Sequence, residues 1–323
     1  LGFSSGTLDL SDYDTRSKVE AYLAEKKKNK NLFIPFYLNR SHYDLDIVKK
    51  GLEKNISIPF RGPINKKTLS CNEDLKFKII NNDQYGFKNP NEIYLKKIDA
   101  ILLGDSYAEG LCENEINDTA GHLRSLGLNT INYGVTGTGP LTSLAIAREY
   151  IKIFKPKYVI YLYFEGNDLR DLNWEKNTFL NKYLKKNFTL NYIDKQNDFK
   201  IFLENFQKKR IIELNKVEVP KKNNQGENKF FSVLKDILEF TNIKGILRSN
   251  FISEDNKVDM NLFFQTLDLI NDEAKNIKSE LIFVYVPSWS RYYTKFNKDK
   301  ILFKKKDEII NYVYKKKINL IDF

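Results

Sequence analysis

Ala100-Ile101-Leu102-Leu103-Gly104-Asp105-Ser106-Tyr107-Ala108-Glu109-Gly110 decides how this chain is read. Its four leading apolar residues are too few for a helix and suit a strand buried on both faces of a parallel sheet. Gly104 lets the backbone turn sharply. Asp105 and Ser106 then fall where a following helix leaves its first N–H groups unpaired. A hydroxyl there either caps the helix or stands as a nucleophile beside a ready anion site. The triplet alone leaves both roles open, and a cap is the commoner.

Downstream of this stretch the pattern alternates. A helix is expected at Asp118–Leu126, closed by Gly127, and a strand at Thr130–Tyr133. The loop Gly134-Val135-Thr136-Gly137-Thr138-Gly139-Pro140 follows, with Pro140 suited to a helix's first turn. Leu141–Phe154 reads as that helix, and Tyr158–Phe164 as a third buried strand ending in Glu165-Gly166-Asn167-Asp168-Leu169. Alternation stops over about 173–260, a Lys/Asn-rich insertion with amphipathic pieces such as Phe230–Phe240. It resumes with a helix at Asn261–Lys278, a strand at Glu280–Val286, a helix around Asp307–Lys316 and a strand at Asn319–Phe323. Five strands separated by helices predict a three-layer α/β/α fold on a doubly wound, five-stranded parallel sheet, flavodoxin-like in kind.

Upstream, residues 1–70 form a polar, Lys-rich lead-in, with helices expected at Thr15–Lys28 and Asp44–Lys54 and a loop from Pro59 to Pro63. Leu75–Ile80 suits a half-exposed strand, and Asp83–Pro90 is turn-rich. The domain division expected is an N-terminal extension over 1–97 packed on a core over 98–323.

A chain of 323 residues with 41% hydrophobic and 14% aromatic residues can bury a large core and is not of disordered composition. The net charge of +11 fits an anionic partner or a general compositional bias toward lysine; the lysines are scattered among acids, which favours the bias. No zinc-finger spacing or helix-turn-helix pattern speaks for nucleic acid, and no cofactor is indicated. The glycine loop runs G-x-x-G-x-G, unlike the dinucleotide fingerprint, and no metal-ligand cluster is visible. The apolar runs are far too short to span a bilayer. The chain begins at Leu1, and the expectation is a processed piece, with any signal peptide or membrane anchor upstream. Cys71 and Cys112 are either two separate thiols or one disulfide made in an oxidising compartment.

Ligands of open parallel sheets sit at the carboxyl ends of the strands. Three loops at such ends pair glycine with small polar residues: Gly104-Asp105-Ser106, Gly134–Gly139 and Gly166-Asn167-Asp168. Acyl transfer needs a nucleophile, oxyanion donors and a base. Ser106 supplies a hydroxyl. Its own N–H, the N–H of Gly137 and the side-chain amide of Asn167 are candidate oxyanion donors, and ordinary turn chemistry is the alternative for the last two. Asp105 suits an orienting or capping role, Glu165 suits contact with substrate or a hold on Asn167, and Asp168 is a further supporting candidate. Trp289 suits stacking on a sugar ring or the core equally.

These three blocks, in order, resemble the SGNH/GDSL hydrolase superfamily over about residues 98–172. Tyr85-Gly86-Phe87-Lys88-Asn89-Pro90, the two cysteines and the phrase Glu165-Gly166-Asn167-Asp168-Leu169 look like bacterial envelope-facing members found with polysaccharide-modifying systems. The resemblance implies Ser106 as nucleophile, Gly137 and Asn167 in the oxyanion hole, and a Cys71–Cys112 disulfide. It implies an esterase or acyltransferase acting on an acylated glycan or small ester, in the periplasm or outside the cell. A non-catalytic glycan-binding or assembly protein on the same fold is the alternative.

One departure matters. Such enzymes end with an Asp-x-x-His motif after the last strand, and this chain has two histidines, His42 and His122, neither in that place. His42 lies in the polar lead-in. His122 would be ~24 Å from Ser106 along a continuous helix, so both are expected to be structural. Asp322 is expected to be a polar strand terminus. The base is expected beyond Phe323.

Overall fold

The computed structural model describes residues 13–43, 45–53, 57–73, 76–215, 258–292 and 300–323. The expected strand at Leu75–Ile80 falls partly, and the amphipathic piece Phe230–Phe240 wholly, outside them.

Five parallel strands form the centre: β6 (Ala100–Gly104), β7 (Thr130–Asn132), β8 (Tyr158–Phe164), β9 (Glu280–Val286) and β10 (Asn319–Asp322). Their order is β10-β9-β8-β6-β7, and every neighbouring pair is parallel. Counted from β6, this is the 2-1-3-4-5 order, whose switch point lies between the first and third strands. Those strands are β6, which ends at Gly104, and β8, which ends at Phe164. The site expected from Ser106 and Asn167 therefore stands where the topology opens a crevice.

Burial on both faces explains the apolar runs. One face, including Ile101, Leu103, Val159, Tyr161, Tyr163, Phe283 and Tyr285, shares a core with α6 (Pro140–Phe154) and α9 (Met260–Asn276). The other, with Ala100, Leu102, Ile160, Leu162 and Val284, packs on Ala108 of α4 (Ser106–Glu109) and Ala120 of α5 (Thr119–Ser125). Helix boundaries follow their caps. Asp118 accepts from the Gly121 N–H and starts α5 one residue later than expected, and Pro140 opens α6 at its first turn. Near the C-terminus α10 (Lys306–Lys315) lies against α9, with Tyr312 stacked on Phe264 at 3.9 Å.

The lead-in is better built than its composition suggests. Helix α1 (Lys18–Lys28) starts at a capping box of Ser17 and Glu20. Strands β1 (Leu32–Phe33), β4 (Lys67–Leu69) and β5 (Ile79–Asn81) form one small sheet. Strand β2 (Phe36–Tyr37) pairs antiparallel with β3 (Arg61–Gly62), so the loop expected from Pro59 to Pro63 contains a strand. Two short helices, α2 (Arg40–Tyr43) and α3 (Asp46–Glu53), lie between. Phe36, Leu38, Val48 and Phe60 are buried in the same core as the large sheet. Helix α7 (Asp168–Glu175) leads from β8 into the insertion, whose described part contains the long α8 (Gln196–Asn215). Phe202 and Phe206 of α8 meet Phe36 edge-on, which ties the insertion to the lead-in. No helix among the described residues is long and apolar enough to cross a membrane.

Candidate active site

Ser106 is the first residue of α4, a single turn, and is half-buried. Asp105 is the cap: its Oδ1 accepts the Tyr107 N–H at 2.8 Å. This leaves the Ser106 hydroxyl out of the capping role, donating instead to Asp105 Oδ2 at 3.3 Å. Gly104 makes the turn feasible. Its φ is +143°, and a Cβ there would stand 2.5 Å from the Leu162 carbonyl oxygen of β8. The turn into the serine thus needs both a positive φ and the missing side chain.

Asn167 caps α7 by position but makes no side-chain cap bond. Its Nδ2 donates to Asp105 Oδ2 at 3.2 Å and to Asp171 Oδ2 at 2.6 Å. The Ser106 hydroxyl and the Asn167 amide thus converge on one oxygen of Asp105. Burial pushes the Asp105 carboxyl up to about 6, against the hydrogen bonds from Tyr107, Asn167 and Ser106 that favour its charge.

Gly137 leaves the end of the adjacent strand with φ +71°. Val135 N–H reaches the Gly104 carbonyl at 3.0 Å, which registers this loop against the Ser106 turn. Asn39 of the lead-in donates to the Thr136 carbonyl at 3.0 Å and sits where a Gly137 Cβ would point. Beneath the loop, Glu109 Oε2 accepts the Thr136 N–H at 2.8 Å and its hydroxyl as well. Glu109 Oε1 accepts from Arg61 Nη2 at 3.0 Å and from Tyr37. Glu109 and Arg61 are each only 2% exposed, so this is a fully buried ion pair joining lead-in, α4 and glycine loop.

The Tyr85–Pro90 phrase also acts as a brace. Lys88 Nζ donates to the Gly110 and Glu113 carbonyls at 2.6 and 2.9 Å, holding the segment just after α4. Asn89 takes the Asn132 N–H and donates to its carbonyl, at 2.7 and 2.9 Å. It thereby occupies the open edge of β7, which would otherwise expose unpaired groups. Cys71 and Cys112 are bonded to each other, tying the same segment to the lead-in.

The other expected site residues are placed as follows. Glu165 is buried and engaged with Tyr285, the Ser288 N–H and Arg291, whose Nε lies 3.0 Å from Oε2. It fastens the end of β9, and Asn167 is held by Asp105 and Asp171 instead. Asp168 is buried and accepts the Phe164 N–H at 3.1 Å; burial raises its pKa well above the usual carboxylate range. Asp322 pairs with Lys306 Nζ at 2.7 Å. Trp289 is 55% exposed, which removes it from the core. His42 is buried, bonds Tyr37 through Nδ1 and packs against Phe36 and Phe206; burial lowers its pKa to about 4. His122 is on the exposed side of α5. The hydrogen bond made by the Ser106 hydroxyl goes to neither.

Three carboxylates behind the site went unread in the sequence. Asp171 holds Asn167, Glu175 accepts the N–H groups of Gly139 and Leu141 at 2.7 and 2.8 Å, and Glu109 carries the glycine loop. The spacing Asp168, Asp171, Glu175 on one helix face was a usable signal. Among the described residues, the group of cysteine and acid side chains close enough to suggest a metal is Cys71, Glu73 and Cys112, and its two thiols are consumed by the disulfide.

No protein-family model and no curated protein matches the chain. Solved structures similar to it include a protein assigned to the lipolytic G-D-S-L family from Desulfitobacterium hafniense, at 13% identity and TM-score 0.35, over 69% of this chain and 76% of that one. A GDSL-like lipase from Bacteroides thetaiotaomicron is similar at 11% identity and TM-score 0.33, over 71% and 69%. A protein assigned as an acylhydrolase from Bacteroides fragilis is similar at 12% and 0.33, over 71% of each. Likenesses of this size carry no chemistry across, which rests on the chain's own geometry.

Proposed function

We propose that the chain is a serine esterase or acyltransferase of the SGNH/GDSL kind. The observation that supports this most is the convergence of the Ser106 hydroxyl and the Asn167 amide on Asp105 Oδ2, at the switch point of the sheet. Ser106 Oγ attacks the ester carbonyl, its proton passes to a base, and the tetrahedral oxyanion is held by Asn167 and the N–H groups of Gly137 and Ser106. Collapse expels the alcohol and leaves an acyl-serine, which water or an acceptor hydroxyl then cleaves. Asp105 already accepts the serine hydroxyl. Because β10 is parallel to β6, a base following the last strand would enter at the edge where Ser106 stands.

The substrate proposed is an O-acylated glycan of the cell envelope, and the compartment periplasmic or extracellular. The disulfide supports an oxidising location, and the exposed ring of Trp289 after β9 supports sugar stacking. A second reading, a glycan-binding protein on this fold, is favoured by the Ser106 hydroxyl's hydrogen bond, which goes to Asp105 and to neither histidine. The full natural polypeptide, assayed for fluorophosphonate labelling and aryl-acetate turnover beside Ser106→Ala, separates them. Labelling and turnover lost in the variant support the enzyme; their absence from the wild type supports the binding protein.

A further inference from the structure

We propose that Asp171 is a positioning residue for the oxyanion donor: it holds one N–H of the Asn167 amide in place while the other passes from Asp105 to the substrate oxygen. This rests on the serine-hydrolase proposal above. An asparagine at a helix N-cap ordinarily turns its oxygen back to the first free N–H groups. Asn167 does not. Its nitrogen is instead turned toward two carboxylate oxygens, Asp171 at 2.6 Å and Asp105 at 3.2 Å. A primary amide has two N–H donors and an ionised carboxylate only accepts, so the two contacts together fix which way the amide faces. They also consume both donors in the resting site. The shorter bond, within one helix turn, is the one to persist. The longer one shares its acceptor with the Ser106 hydroxyl and is released when the serine attacks and an oxyanion forms nearby.

Helix α7 is built for this. Asp168, Asp171 and Glu175 lie at i, i+3 and i+7, on one face. Asp168 ties the helix start to Phe164 N–H, Asp171 ties down Asn167, and Glu175 caps α6 directly after the Gly137 loop. One helix thereby references both oxyanion donors to the same frame, which electrostatic preorganisation requires. The charged groups around Asp171 are Asp105 from the nucleophile turn, Asp168, Arg170 and Glu175 from its own helix, and Arg40 from α2. Burial is the largest influence and pushes the Asp171 carboxyl up to about 7, with Asn167 pulling it down and Asp105 pushing it further up. Protonation below that pH weakens the acceptor and frees the amide.

The test uses the full polypeptide and two readouts. With an aryl acetate, Asp171→Ala lowers kcat about tenfold or more with KM within about twofold, since a loosened donor is felt in the transition state. Asp171→Asn, which keeps an accepting oxygen, recovers most of that loss. In protein labelled with 15N-asparagine, the Asn167 side-chain signal is identified by its loss in Asn167→Asp. In the wild type it shifts in a step near pH 7 that Asp171→Asn removes, leaving the step near pH 6 set by Asp105. An unchanged kcat in Asp171→Ala, or the same titration of Asn167 in Asp171→Asn, overturns the proposal. Wild-type protein without Ser106-dependent turnover defeats the hydrolase reading separately, and the Asn167 titration still decides the tether.

Discussion

Replacing Glu109 with glutamine tests how the lead-in is joined to the large sheet. The substitution keeps volume and shape but removes the only carboxylate that meets Arg61 at hydrogen-bond distance among the described contacts. Arg61 would keep Asn82 Oδ1 and the Gly86 carbonyl, both at 2.6 Å. It would remain 2% exposed with an uncompensated charge. Breaking a buried pair from one side costs about 3–5 kcal/mol, a large share of the roughly 5–15 kcal/mol that holds a domain folded. Urea denaturation of oxidised protein should show that loss as a lower midpoint at an unchanged slope. Activity should also fall, because one amide oxygen cannot accept from both Arg61 and Thr136, which now meet on separate carboxylate oxygens. Combining Glu109→Gln with Arg61→Met should recover much of the stability, since the orphaned charge is gone. A single-variant loss under about 1 kcal/mol, or strict additivity in the double variant, would refute the reasoning.

Gly137→Ala places a Cβ at a φ of +71° and 3.0 Å from Asn39 Nδ2; about 1–2 kcal/mol of backbone strain should appear in thermal melts, with kcat falling more than KM rises. Removing the disulfide with Cys71→Ser and Cys112→Ser opens a loop of 41 residues, which in the chain-entropy model costs about 4 kcal/mol, read by denaturation with and without reductant. Glu175 is pushed up to about 7, chiefly by burial. Its folded pKa exceeds its unfolded value, so its contribution to stability is present below about pH 4 and is lost as pH rises to 7. Glu175→Gln should therefore gain on the wild type over that window in pH-dependent denaturation and hold level above it; a constant difference across the window would contradict the assignment.

The large sheet was legible because its inner strands are buried on both faces and its glycines are needed where they stand. Gly104 and Pro140 announce a turn and a helix start from local geometry alone, and Asp118 marks a helix start within one residue. The Ser106, Gly137 and Asn167 loops followed from strand ends. The lead-in was legible in its helices and opaque in its packing. Its buried residues are dispersed among lysines, and Arg61 finds Glu109 across 48 positions, a partnership no local pattern reveals. The partners of Glu165 were hidden for the same reason: Tyr285 and Arg291 are over a hundred residues away. Asp171 is different. It lies four residues from Asn167 and was within reach of a helical-face argument.

The central claim is that Ser106 is a nucleophile served by Asn167. The most direct measurement is mass spectrometry of the full polypeptide after a fluorophosphonate, with the labelled peptide sequenced. One adduct on Ser106, absent from Ser106→Ala and slowed about 10²-fold or more in Asn167→Ala, is the result predicted. An unlabelled protein, or labelling indifferent to Asn167, would contradict it.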